Sequence, residues 1–449
     1  MGANHSSRFA LAGLRYAFVP MAVVFLAAVM PQSGRAGTLQ VLYNFCSQRD
    51  SQTGFCVDGA SPLAAVVRDA NGNFFGTTAN GGTNNNGTVF ELGSGGGETV
   101  LYNFCSEASC ADGSQPLSAL LFDTSGNLYG TAKSGGQYGA GVLFRLRLVR
   151  GQWTYAVLHD FCSTPCGDAG KPTAGLVMDK AGNLYGTTEA GGLGASGLNN
   201  GTVFRMTRNK KGNWKEQVLY AFCAKRSCAD GAAPEASLIR DSNGNLYGTT
   251  ENGGKHNSGT AFRLSFDSTK GKWREEVLHH FCSNGTSASP CKDGASPVGS
   301  LAMDSAGNLF GTTMQGGSGN PGSGVAFELV FNPSTGGYTY DVLHDFCRSY
   351  PTCTDGETPK AGPILDAVGN LYGTTYASGG QNSDGSVFRL SPAGNESVLA
   401  RFCGNFCGDG VNNGASPEAP VIMDSSGNLY GTAFQGGAHQ AGEVFEVTN

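Results

Sequence analysis

An all-β, seven-bladed propeller is the fold class this sequence predicts, and three observations predict it. One unit of about 60 residues recurs seven times. Each copy holds four strand-like segments separated by turn signals, with nothing that has the period of an amphipathic helix. The chain also begins on the fourth segment of a unit and ends on the third, so each end supplies what the other lacks.

The unit runs Val-Leu-aromatic-x-Phe-Cys, then Cys-x-Asp-Gly, a Pro, an apolar stretch closing on Asp-x-x-Gly-Asn, then Leu-Tyr-Gly-Thr-Thr, Gly-Gly and Gly-Thr-Val-Phe-x-Leu. Its Val-Leu start falls at Val41, Val100, Val157, Val218, Val277, Val342 and Val398, and its turn opens at Asp69, Asp123, Asp179, Asp241, Asp304, Asp366 and Asp424. A period of this length marks a repeat architecture. The apolar stretch, such as Leu63–Arg68 or Leu117–Phe122, suits a buried first strand. Asp-x-x-Gly suits a tight turn, with the carboxylate accepting from the turn backbone and Gly taking positive φ. Leu-Tyr-Gly-Thr-Thr and Gly-Thr-Val-Phe-x-Leu, β-branched and aromatic, make the second and third strands. A hairpin carrying Gly-x-Trp in three copies (Trp153, Trp214, Trp273) leads to Val-Leu-Tyr-x-Phe as the fourth.

Four antiparallel strands repeated seven times is propeller architecture. The N-terminal strand, residues 38–45, is expected beside Glu443–Val447. It completes the last blade and removes the open edges that invite aggregation.

Before the repeats, residues 1–36 have the layout of a secretory signal peptide. Arg8 and Arg15 precede the apolar run Tyr16–Met30, broken by Pro20, and Gly34-x-Ala36 supplies small residues for cleavage near Ala36. The expected mature product is one propeller domain over 37–449, secreted or periplasmic, without stable membrane insertion and monomeric. The chain stops just past its last strand, at Asn449, which favours release over surface anchoring. Losing Arg8, Arg15 and Arg35 takes the net charge from −6 to about −9. That acidity argues against nucleic acid and anionic membrane as partners.

Fourteen cysteines fall two per unit, at variable spacing but fixed flanks, as staples across loops of any length would. The expected pairs are Cys46–Cys56, Cys105–Cys110, Cys162–Cys166, Cys223–Cys228, Cys282–Cys291, Cys347–Cys353 and Cys403–Cys407. Asp58, Asp112, Asp168, Asp230, Asp293, Asp355 and Asp409 follow the second cysteine of each pair. Seven carboxylates on one rim could hold calcium, but a residue repeated in every copy is better explained as a loop cap, and no cofactor is expected.

Specificity belongs to positions that break the repeat. Residues just after Gly-Thr-Thr/Ala differ in every copy and point toward the rim that the Gly-Gly and disulfide loops share. Among them Lys133, Glu189, Glu251, Tyr376 and Phe434 offer a mixed polar and aromatic mouth, to which His256 and His439 add imidazoles. His159, His279 and His344, replacing Tyr on the fourth strand, are expected as exposed outer-strand residues. No nucleophile elbow, HExxH, phosphate loop or nucleotide fingerprint is present.

The run Gly-Asn-Leu-Tyr-Gly-Thr-Thr-x-x-Gly-Gly with Gly-Thr-Val-Phe-x-Leu and Val-Leu-Tyr-x-Phe resembles the GloVer tandem repeat over nearly all of residues 38–449. The resemblance implies an exported bacterial propeller and brings no catalytic residues with it. The expected function is non-enzymatic binding of an extracellular glycan or protein at the disulfide-loop face. The alternative is a propeller lyase or hydrolase of extracellular polysaccharide using Glu189, Glu251, His256 and Tyr376.

Overall fold

The computed structural model describes residues 1–2, 37–162, 167–192, 200–283, 291–318, 322–378, 384–403 and 412–448. The chain divides into Met1–Gly34 and Arg35–Asn449. Beyond residues 1–2, the expected leader lies outside the described residues, as do Cys166, Cys407 and Asp409.

Residues 37–448 fold as seven antiparallel four-stranded blades, a seven-bladed β-propeller. Blade 1 consists of Val67–Arg68, Phe74–Thr78, Thr88–Leu92 and Glu98–Asn103, hydrogen-bonded in that order. Blades 2 to 6 repeat it. Blade 7 takes Ile422–Met423, Leu429–Ala433 and Glu443–Thr448 from the chain end and Thr38–Asn44 from the chain start. Thr38 faces Thr448 and Asn44 faces Glu443, so the expected closure is present.

The fourth strand is apolar at both Val and Leu, which strict alternation forbids. A bulge resolves this: Val89 faces Tyr102 and Phe90 faces Val100, leaving Leu101 without an opposite number, and the same irregularity recurs in every blade. One extra residue flips the side-chain parity, so the residues on either side of it bury different faces.

The first strand is shorter than the apolar pattern suggests. Only Val67–Arg68 joins the ladder in blade 1, and Leu63–Val66 runs outside it. What holds that upstream segment is the preceding blade. Thr77 Oγ1 donates to the Ser118 carbonyl of blade 2 at 3.1 Å. Thr187, Thr249, Thr312 and Thr374 do likewise to Ala236, Gly299, Ala361 and Ala419, and Thr432 closes the circle on Ala64 at 3.0 Å.

A second stitch is aromatic. The Phe before each first cysteine is buried and meets edge-on the Phe of the next blade's third strand. Phe45 meets Phe90, Phe104 meets Phe144, and so on round to Phe402 on Phe445 at 4.8 Å. Such pairs add about 0.5–1.5 kcal/mol each beyond their burial. That third-strand Phe also explains the glycine of Leu-Tyr-Gly-Thr-Thr. A Cβ on Gly186 would lie 2.7 Å from Phe204 Cζ, and the other blades repeat the clash.

Five disulfides join described cysteines: Cys46–Cys56, Cys105–Cys110, Cys223–Cys228, Cys282–Cys291 and Cys347–Cys353. The two other expected pairs each have one cysteine outside the described residues. Bonds of this number are characteristic of oxidising compartments. Among the described residues no helix is long and apolar enough to cross a membrane.

Candidate functional site at the disulfide-loop mouth

The disulfide and Gly-Gly loops do share one rim. Ala60 pairs with Asn80 across them, and a Cβ on Gly81 would meet the Cys56 carbonyl at 2.6 Å. Copy 3 has Ala169 where the other copies have Gly after the Asp; there the bridge extends to a two-stranded pairing of Ala169–Gly170 with Ala190–Gly191.

The variable position after Gly-Thr-Thr/Ala is fixed by one recurring hydrogen bond. Its amide donates to the carbonyl of the residue before the repeat's Pro, as from Lys133 to Gln115, Glu189 to Lys171, Glu251 to Ala233 and Tyr376 to Thr358, at 3.0–3.1 Å. Directly after that Pro comes a second variable residue: Leu63, Leu117, Thr173, Glu235, Val298, Lys360 or Glu418. These seven line a central cavity of about 150 Å³ fed by all seven blades. They sit one residue before the carbonyls that accept the threonine stitches, which holds them at the axis. Two stitched rings of variable residues therefore surround the channel mouth. Sequence reasoning found the outer ring and missed the inner one, although variation after an otherwise repeated Pro carried the same signal.

Charge is uneven around the rings. Lys133 Nζ is 2.7 Å from Glu189 Oε2, joining blades 2 and 3, with both side chains half-buried. Glu235 of blade 4 is pushed up to about 7, chiefly by burial, then by the negative charges of Glu251 and Glu189, with Lys133 opposing. On blades 6 and 7, Lys360 Nζ lies 2.9 Å from Glu418 Oε1 and 3.5 Å from the centre of the Tyr376 ring. Between these poles are Val298 and Met314, and Leu63 and Ala79.

Lys133, Glu189 and Glu251 are thus brought together, with Glu235 as a partner the sequence did not reveal. Tyr376 stands apart, with Lys360. Phe434 occupies its expected outer-ring position, half-buried, its amide donating to the Ser416 carbonyl at 3.3 Å. His256 and His439 are exposed in the loops. His256 lies within charge range of His280; burial first, then Lys255, His279 and His256, hold His280 down at about 4.

Five of the aspartates after the second cysteine, Asp58, Asp112, Asp230, Asp293 and Asp355, cap their own loops. Asp58 accepts from Ser47 N, Ser47 Oγ and Tyr43 Oη at 2.7–2.8 Å, Asp112 repeats the arrangement with Ser106 and Tyr102, and Asp230 keeps the tyrosine and the amide, from Tyr220 and Ala224. The fourth-strand histidines are the imidazole version of that tyrosine and are half-buried, not exposed. His279 pairs with Asp293 and His344 with Asp355, each at 3.0 Å. His159 turns instead to Glu216 of the next blade at 2.8 Å, and with Asp168 these form a group whose ligand atoms lie within 4.8 Å of one another.

The Gloeobacter/Verrucomicrobia repeat matches residues 34–241, 108–292 and 286–449. The chain belongs to this family, as its resemblance to the GloVer repeat implied. No curated protein matches it. Among solved structures it is similar to an ancestral GH74 enzyme (TM-score 0.54, 10% identity, 90% of this chain and 51% of that one). It is also similar to a PL25 ulvan lyase bound to -[GlcA(1-4)Rha3S]- (TM-score 0.51, 11% identity, 88% and 94%). A third is the extracellular domain of a one-component system from B. thetaiotaomicron (TM-score 0.51, 11% identity, 91% and 40%), so this chain spans less than half of that protein. At these identities the likeness is one of fold.

Proposed function

We propose that this propeller is exported, with its leader cleaved near Ala36, and that it binds a neutral or amino-bearing oligosaccharide across the disulfide-loop mouth. The observation that carries the reading is the convergence of the repeat-breaking residues into two stitched rings at the axis. A cavity of about 150 Å³ is too small for a sugar chain to enter, since ligand pockets run from about 300 Å³ upward. The ligand therefore lies flat over it. Carboxylates accept from sugar hydroxyls, and the Tyr376 and Phe434 rings offer apolar faces beside them.

Glu235 aside, the rings carry Glu189, Glu251 and Glu418 against Lys133 and Lys360, an acidic balance that repels uronate and sulfate chains. This also speaks against eliminative cleavage, which needs positive charge to neutralise a uronate carboxylate. The folds of GH74 and of the ulvan lyase place saccharide chemistry on similar scaffolds, though fold alone does not assign function.

The test is a glycan array with the mature chain, followed by calorimetry with Lys133→Ala, Glu251→Gln and Tyr376→Ala. Each substitution is expected to weaken binding at least tenfold. Unchanged affinity in all three, or binding to peptides and to no glycan, would contradict the reading.

A further inference from the structure

We propose that the mouth also cleaves the saccharide it holds, by hydrolysis of a glycosidic bond, with Glu235 as proton donor and Glu189 as the base that activates water. This rests on the mouth being a saccharide site and goes beyond it, since binding alone needs no paired carboxylates.

Neighbouring blades bring two carboxyl groups in different surroundings to the same mouth, Glu235 on the inner ring and Glu189 on the outer one. Glu235 lines the channel cavity, half-buried, and Glu251 is tied to its segment through the Ala233 carbonyl at 3.0 Å. Glu189, from the neighbouring blade, has an ammonium partner 2.7 Å away in Lys133. Glu235 has no such cation bonded to it among the described residues, and feels the negative charge of both other glutamates. Its carboxyl, raised to about 7, keeps a proton near neutral pH. Environments that separate two carboxyl groups in this way define acid and base roles in glycoside hydrolysis. Next to Glu235 in the inner ring, on the same cavity wall, Thr173 has a hydroxyl oxygen sealed from solvent and, among the described residues, without a hydrogen-bond partner.

The step balances with water as the second reactant. The bond from the anomeric carbon to the glycosidic oxygen breaks, and its electron pair stays on the oxygen, which takes the Glu235 proton. A water oxygen bonds the anomeric carbon and gives its proton to Glu189. Solvent exchange then returns Glu235 and Glu189 to their starting forms, leaving two shorter saccharides, one with a new reducing end. Lys133 and Glu251 are positioning residues: one orients Glu189, the other raises Glu235.

The experiment incubates the mature chain with laminarin, xyloglucan and chitosan oligosaccharides and measures new reducing ends, with binding followed in parallel by calorimetry. The expected result is product from at least one of them. Glu235→Gln should lower the rate by 100-fold or more, well beyond any change in affinity measured alongside, and Glu235→Asp should restore part of it. Binding without new reducing ends overturns hydrolysis and leaves the binding site standing. Equal rates in wild type and Glu235→Gln overturn it as well. No binding by any saccharide overturns both readings.

Discussion

Lys133, Glu189 and Glu251 are ordinary surface residue types, and in most proteins their variation would mean little. Here each is delivered to the axis by a hydrogen bond that recurs through the repeat, so differing side chains end up on one small rim. Glu443 shows the opposite case, a repeat-breaking residue turned inward. It stands where other copies have Thr, Val or Ser, fully buried, with neither carboxyl oxygen hydrogen-bonded among the described residues. Burial pushes its carboxyl up to about 8, and burial first, then Asp58, does the same to Glu98. Below about pH 4.5 these groups are protonated folded or unfolded and cost nothing. As pH rises toward about 8 the unfolded chain ionises them first, so the folded state loses relative stability. The melting temperature should therefore fall between about pH 5 and pH 9, and Glu443→Gln should flatten that fall. An identical slope in the variant would refute the assignment.

The elements show how much could be taken from the sequence. The Asp-x-x-Gly-Asn turns are as expected: Asp69 Oδ1 accepts from the Asn71 and Asn73 amides, and Gly72 has φ +87°. The first strand is shorter than its apolar run suggests, since such a run looks the same whether it pairs in a ladder or lines a channel, and the contact that decides lies a blade away, in Thr77 and its equivalents. The glycine of Leu-Tyr-Gly-Thr-Thr has an equally non-local reason, the ring of Phe204 over Gly186. Gly186→Ala should cost about 1–3 kcal/mol in denaturant unfolding, as overpacking does. A neutral result would mean that the Phe ring yields freely. The histidines are half-buried and not exposed for the same reason, since partners such as Asp293 and Glu216 sit on separate loops and strands. Disulfide loops such as Cys105–Cys110, with a separation of 5, close little chain entropy, so Cys105→Ser/Cys110→Ser should cost about 2 kcal/mol or less and leave the propeller intact. Loss of the folded state would show that the staple has a larger role.

At the scale of the molecule, every blade depends on the next, and the last depends on the first. Thr432 reaches Ala64, Phe45 meets Phe90, and Thr38–Asn44 completes blade 7. Deleting residues 37–45 should therefore expose the Glu443–Thr448 edge and produce aggregation, visible by light scattering, where a monodisperse product would argue against an obligatory closure. The ring legible in the sequence is also what makes a single mouth, and the central claim is that this mouth is where ligand binds. Hydrogen–deuterium exchange with and without a bound saccharide tests that claim most directly. Protection confined to the segments around Lys133, Glu189, Glu235, Glu251 and Tyr376 is the predicted result. Protection at the opposite face, around the Asp69 and Asp123 turns, with the mouth unchanged, would contradict it.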